Sequence, residues 1–320
     1  VQWFIAALNP PSLKAIAPWE GCGDLYREQF ARGGIYSGDL FDELIVKYML
    51  RGRHGMESFK EMFKQHPLAT SDPKDWWNDK RPDMTKIKVP TYITGTWTNT
   101  MHGMGAIRGW LEIPVKNKWL RWHPYQEWYD LWGCQQAKDE LLMFMDHFLK
   151  DVDNGWEATP KVRMAVLRFG QNEPISNKVV EDFPIPNTEY RKLFLHSDDS
   201  LETTNAKTSS TASYDANTGH LAFKHVFKEK TQIVGMPKAV VHVSCNEHDD
   251  MDIYICLRKL SASGEPMLNL NIPWSSVPVS SIEEIPEDKR TEVLLYKGPV
   301  GILRASHRKI DAGKSMHENW

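Results

Sequence analysis

Two polar loops hold the side chains best suited to acid–base chemistry. Residues 96–102 (Thr96-Trp97-Thr98-Asn99-Thr100-Met101-His102) follow the apolar run 89–95, VPTYITG. Residues 123–128 (His123-Pro124-Tyr125-Gln126-Glu127-Trp128) follow the run 118–122, KWLRW. A histidine can take up and return a proton near neutral pH, and a carboxylate or amide beside it can orient its ring. His123 is the candidate base. Asn99 is the candidate orienting group, with Glu127 or Asp130 as a charged replacement for it. Trp97, His102 and Tyr125 supply an aromatic, polar-edged pocket wall, to which Trp76 and Trp77 can contribute from the polar stretch 67–88.

The elements around these loops alternate. Residues 1–8 (VQWFIAAL) read as a helix apolar on nearly all sides, ended by Asn9-Pro10-Pro11. Residues 13–17 (LKAIA), bounded by Pro18, read as a short buried strand. Phe41, Leu44, Ile45, Tyr48 and Met49 fall at helical spacing, as do Phe59, Met62 and Phe63. The runs 89–95 and 118–122 predict strands, 105–111 a helix, and 139–149 an amphipathic helix with Leu141, Phe144, Met145 and Phe148 on one face. Strand, loop and helix in alternation predict an α/β domain over residues 1–155 with a mostly parallel sheet. The polar stretch 151–160 reads as a linker. Beyond it, 162–169, 190–196, 221–227, 239–244, 252–257 and 292–296 predict short strands, hence an all-β sandwich over residues 156–320.

Composition narrows the function classes. The 320 residues carry a formal net charge of −3, so bulk electrostatics draw the chain to neither nucleic acid nor an anionic membrane. No apolar run approaches the roughly 18 residues of a membrane span. Cys22, Cys134, Cys245 and Cys256 form no CxxC or Cys/His cluster, so neither zinc nor a disulfide scaffold is expected, and a reducing, cytoplasmic compartment is favoured. The turn at His248-Asp249-Asp250 lacks calcium-loop spacing and reads as a strand entry. No cofactor or metal is expected. Of 13 tryptophans, all but Trp274 and Trp320 lie between Trp3 and Trp156, which makes the first half the place for an apolar pocket.

Particular segments carry a resemblance. Residues 16–36 (IAPWEGCGDLYREQFARGGIY), 89–99 (VPTYITGTWTN), 118–128 (KWLRWHPYQEW) and the stretch with Asp250-Met251-Asp252-Ile253-Tyr254 resemble the X-Pro dipeptidyl-peptidase/CocE–NonD hydrolases. The similarity runs through nearly the whole chain. It implies an α/β-hydrolase domain with a helical cap inserted at about 25–85, a C-terminal jelly-roll, and hydrolysis of acyl esters, amides or X-Pro peptides through an acyl-serine. His123 matches the position of the triad histidine, and Asn99 stands where the family has an aspartate. No serine has glycine at both i−2 and i+2, so no G-x-S-x-G nucleophile turn is present. The chain therefore reads as a fragment, with the nucleophile expected just before Val1.

Two other function classes stay open. The same aromatic pocket could bind a small molecule and steer a cyclisation or isomerisation in secondary metabolism, or the chain could be an inactive binding module. The expected partner is a small-molecule or peptide substrate, not nucleic acid or membrane, and a homodimer is left open.

Overall fold

A computed structural model describes residues 1–36, 77–99, 101–290 and 294–311. The expected helices at 41–49 and 59–63, and Trp76, lie outside these residues. Helix α1 (Gln2–Ala7) opens the chain, then a π-helical turn at Tyr26–Phe30 and a hairpin of β1 (Ala31–Arg32) and β2 (Ile35–Tyr36). Next come β3 (Thr91–Thr96), α2 (Gly103–Glu112), β4 (Lys118–His123), a second π-helical turn (Trp128–Trp132) and α3 (Gln135–Lys150). Strands β5 (Val162–Val166) and β6 (Ile175–Val180) follow. The remaining strands are short: β7 (Phe194–Leu195), β8 (Leu201–Glu202), β9 (Asp252–Cys256), β10 (Asn269–Leu270), β11 (Leu295–Tyr296) and β12 (Val300–Arg304).

The central sheet has the order β3-β4-β5-β6, parallel from β3 to β5 and antiparallel at β6. Residues 13–17, expected as a strand, run parallel beside β3, joined to it by the bridge Ile16↔Thr91 and followed by Trp19↔Thr94. Helices pack on both faces, which a parallel sheet requires because neither face can stay wet. On one face Phe144 of α3 meets Ala15, Ala17, Tyr92, Trp119 and Trp156 in an aromatic core, with Leu141, Met145 and Phe148 packed against it. On the other, α2 comes so close to β3 that a Cβ at Gly95 would lie 2.8 Å from Ala106 and 2.6 Å from Trp122. Alternation along β4 follows from the strand period: Trp119, Arg121 and His123 share the α3 face.

Several expectations change. Helix α1 is apolar in sequence but buries only Trp3 and Ala6, while Phe4, Ile5 and Leu8 are exposed. The run 162–169 was expected in the sandwich; its strand β5 pairs with β4 and extends the α/β sheet instead. That pairing follows from the short linker, which ends the crossover of α3 beside β4. Residues 221–227 hold a single bridge, Ser200↔Lys224, and 239–244 hold no strand. Their apolar side chains meet no opposing layer among the described residues: Val240 is 74% exposed and Val226 82%. A smaller core of Leu270, Ile272, Ile285 and Leu295 lies behind β10 and β11. The chain divides into two compact units, one formed by Val1–Phe183 together with Ala239–Glu318, the other mainly by Pro184–Lys238.

Candidate active site

The C-terminal ends of β3 and β4 lie side by side, with Thr96 paired to His123. This end of a parallel sheet is where α/β folds place their ligands. His123 is 2% exposed and is gripped at both nitrogens. Asp130 Oδ2 lies 3.1 Å from Nδ1, and Glu20 Oε1 lies 2.5 Å from Nε2. Asp130 reaches the ring because the π-helical turn folds residues 128–132 back over the strand end, and the same Oδ2 accepts the Tyr125 N–H at 2.8 Å. Burial alone would lower the histidine's pKa. The hydrogen bonds that Asp130 and Glu20 accept from the ring, and their charges, outweigh it and raise the pKa to about 9.

Glu20 was not among the residues singled out in the sequence. It sits in the Pro18-Trp19-Glu20-Gly21 turn at the end of the strand-like segment beside β3. Its φ of +58° lies in the left-handed region, which non-glycine residues occupy at a cost and often at functional sites. Its N–H donates to Thr94 O at 3.3 Å, and its carbonyl lies 3.1 Å from His102 Nδ1. Oε2 is buried without a hydrogen-bond partner among the described residues. A cavity of about 180 Å³, lined by Val1, Gln2, Trp3, Pro18, Trp19 and Gly21, opens at the same turn. A neighbouring network fixes the turn from below: Arg108 Nε donates to Glu28 Oε1 at 2.7 Å, and Glu28 Oε2 accepts the Gly23 N–H at 2.7 Å. Cys22 is part of this packing, and burial raises its thiol pKa to about 11, so it stays protonated. The sequence signal for Glu20 was its place in the PWEG segment, after a strand, as a carboxylate inside an apolar stretch.

The other sequence-derived residues fall in three groups. Asn99 lies in the first loop, but its Nδ2 donates to Gln126 Oε1 at 3.0 Å and Glu127 Oε2 at 3.1 Å, and its Oδ1 accepts the Met101 N–H at 2.9 Å. It thus joins the two loops, and Glu127 meets Asn99 there. His102 and Tyr125 adjoin the His123 cluster, His102 through Glu20 and Tyr125 through Asp130; the Tyr125 hydroxyl donates to Glu173 at 2.5 Å. Trp97 packs on Trp122, with ring centroids 4.7 Å apart, and its Nε1 donates to Ala165 O at 2.9 Å. Trp77 is buried against Tyr26 and Phe30. Among the described residues no group of three or more His, Cys, Asp or Glu could hold a metal ion. No described helix is long and apolar enough to cross a membrane.

The geometry can be set beside known proteins. Residues 1–128 match the family model of X-Pro dipeptidyl-peptidase (S15 family). Residues 154–318, more than half the chain, match the X-Pro dipeptidyl-peptidase C-terminal non-catalytic domain. The chain belongs to the X-Pro dipeptidyl-peptidase/CocE–NonD family. Two crystal structures of a CocE/NonD family hydrolase from Staphylococcus aureus superpose on this CocE/NonD chain with a TM-score of 0.77 at 26% identity. They cover 98% of it, whereas it covers 54% and 53% of them, so it spans about half the length of the structures it matches. A comparison with curated protein sequences finds no match. The expected α/β-hydrolase fold and C-terminal β-domain are those of the family.

Proposed function

We propose that this chain carries the histidine side of an acyl-transfer site that hydrolyses acyl ester, amide or X-Pro peptide bonds. The observation that supports it is the buried His123 at the end of β4, bound at Nδ1 by Asp130. In this reading Nδ1–H donates to Asp130, which orients the ring and stabilises the imidazolium formed during the reaction. Nε2 then takes the proton from the attacking hydroxyl and returns it to the leaving group. The nucleophile of this reading is a serine hydroxyl presented to the Nε2 side, where Glu20 is the resting partner. Asn99 and Glu127 hold the loop that carries Asp130. Trp97, His102, Tyr125, Trp76 and Trp77 are the proposed substrate contacts.

The test uses the full-length protein. A fluorophosphonate probe labels the serine, and His123→Ala lowers ester turnover by about 10³-fold or more. Absence of labelling in folded protein, or near-full activity of His123→Ala, overturns the reading.

A second reading has its own support. With carboxylates at both nitrogens and a pKa of about 9, His123 is an imidazolium at neutral pH, an acid rather than a base. That state suits a non-hydrolytic cyclase or isomerase that protonates its substrate. The two readings differ in pH profile. Turnover by a base at His123 rises as pH approaches 9; turnover by an acid falls there.

A further inference from the structure

One strand step below the His123 pair lies a row of side chains the hydrolytic reading does not use. Trp19, Thr94, Arg121 and Arg163 are lateral neighbours on adjacent strands: Trp19↔Thr94, Thr94↔Arg121 and Arg121↔Arg163. Residues in lateral register share a face, and this is the face covered by α3. Thr96 and His123 stand two residues further along the same strands, so roughly 7 Å away on that face.

Every member of this row has an unsatisfied polar atom. Trp19 Nε1, Thr94 Oγ1, Arg121 Nε and Nη1, and Arg163 Nε are all buried without a hydrogen-bond partner among the described residues. Four of these five atoms are N–H donors, and the fifth is a hydroxyl that can also donate. Thr94 is 0%, Arg121 7% and Arg163 8% exposed, so these three are withdrawn from bulk solvent, and Trp19 at the end of the row is partly buried. Buried donors without partners are rare in native proteins and call for a ligand or an ordered solvent molecule.

Charge decides between these. The row holds two guanidinium groups. One carboxylate, Glu140 of α3, faces it, and Glu140 is fully engaged. It accepts both Arg163 Nη1 at 2.7 Å and Arg163 Nη2 at 2.6 Å, and also the Tyr92 hydroxyl. Burial works against its charge, but the Arg163 hydrogen bonds and charge hold its pKa below the usual value, so it is a carboxylate. Arg121 influences Glu140 through space but bonds to no carboxylate among the described residues. Within the row and Glu140 the count leaves one positive charge, and the Glu20 and Asp130 carboxylates held by His123 face it only from the next pair along the strands, roughly 7 Å away. A water molecule would satisfy hydrogen bonds but not that charge; an unpaired buried guanidinium is among the costlier groups a fold can carry. An oxyanion would satisfy both.

We propose that the Trp19–Thr94–Arg121–Arg163 row is a binding site for a small oxyanion, a carboxylate or an inorganic phosphate-like ion, on the sheet face beneath His123. Arg121 supplies the charge, Trp19 and Thr94 add single neutral donors, and Trp132, tilted against Trp19 with centroids 5.1 Å apart, flanks the outer side. The inference does not depend on hydrolysis: the site would bind its anion in a protein with no esterase activity.

Full-length protein is titrated with sodium acetate and, separately, with inorganic phosphate at constant ionic strength, with chloride as control. Binding is read by calorimetry and by the shift in Tm. Acetate or phosphate raises Tm saturably while chloride does not; a response to acetate alone identifies an organic acid, and a response to phosphate identifies the inorganic ion. Arg121→Gln abolishes the effect. Trp19→Phe and Thr94→Val, which each remove one hydrogen bond and keep the shape, weaken binding by about fivefold to tenfold. Should Arg121→Gln fail to fold, these two variants carry the test alone. No saturable response, a response equal to that of chloride, or one unchanged in Trp19→Phe and Thr94→Val overturns the proposal.

Discussion

His123 is held by two carboxylates from different parts of the chain, and the physical consequence is a shared proton environment. Asp130 lies seven residues downstream, within reach of any tight turn. Glu20 comes from 103 residues upstream. If both stabilise the imidazolium, Glu20→Gln removes one charge from Nε2, and the His123 pKa drops from about 9 by a unit or more. Asp130→Asn acts in the same direction. Imidazole resonances followed by NMR across pH 5–10 measure both shifts. A His123 pKa unmoved in Glu20→Gln would mean that the 2.5 Å contact does not govern its protonation. Asn99 illustrates the opposite case. It was legible as a functional-loop residue from its place after a strand, yet its amide faces Gln126 and Glu127. A side chain's position in the chain predicts its neighbourhood, while its rotamer depends on which partner is nearer.

Helix α2 and the turn that carries Glu20 are packed to backbone contact. A Cβ at Gly105 would lie 2.1 Å from Gly21 O and 2.6 Å from Gly23 N, both main-chain atoms that cannot swing aside. Gly105→Ala therefore pushes the Gly21–Gly23 segment off the helix. We expect a stability loss of about 1–3 kcal/mol in urea unfolding, the usual cost of overpacking. Because Glu20 adjoins Gly21, the same variant lowers the His123 pKa with no change to either titrating residue. A Gly105→Ala protein of parent stability and parent His123 pKa would show that the turn is not held by this contact. The elements themselves were largely readable. The β3 and β4 strands, α2 and α3 appear where periodicity and turn residues put them, because each buries an apolar face in a regular period. Strand β5 was readable as a strand but not in its sheet, since pairing to β4 is a choice among edges that local sequence does not encode.

For the whole molecule, the buried histidine couples folding to pH. Its folded pKa of about 9 exceeds the value near 6.5 of an unfolded chain. A raised pKa stabilises the fold fully below about pH 6.5, and the contribution is lost as pH rises through 9. The difference corresponds to about 3 kcal/mol as an order of magnitude. Urea unfolding of the parent at pH 6 and pH 9 is expected to show this decline, and His123→Gln is expected to flatten it. A parent curve that is level over that range, or rises, contradicts the assignment.

Sequence alone determined the fold class, the family, and the two loops at the strand ends that hold the candidate residues. These follow from apolar periodicity, from turn residues, and from segments such as PWEG and HPYQEW, which are local and survive in any conformation. The tertiary structure decided which groups meet. Glu20 and His123 are brought together by parallel strands, and so are Trp19, Thr94, Arg121 and Arg163, which are scattered over 144 positions of the chain. No local pattern marks that row, because its members share only a register across neighbouring strands. Register is set by the burial of whole faces rather than by any one residue.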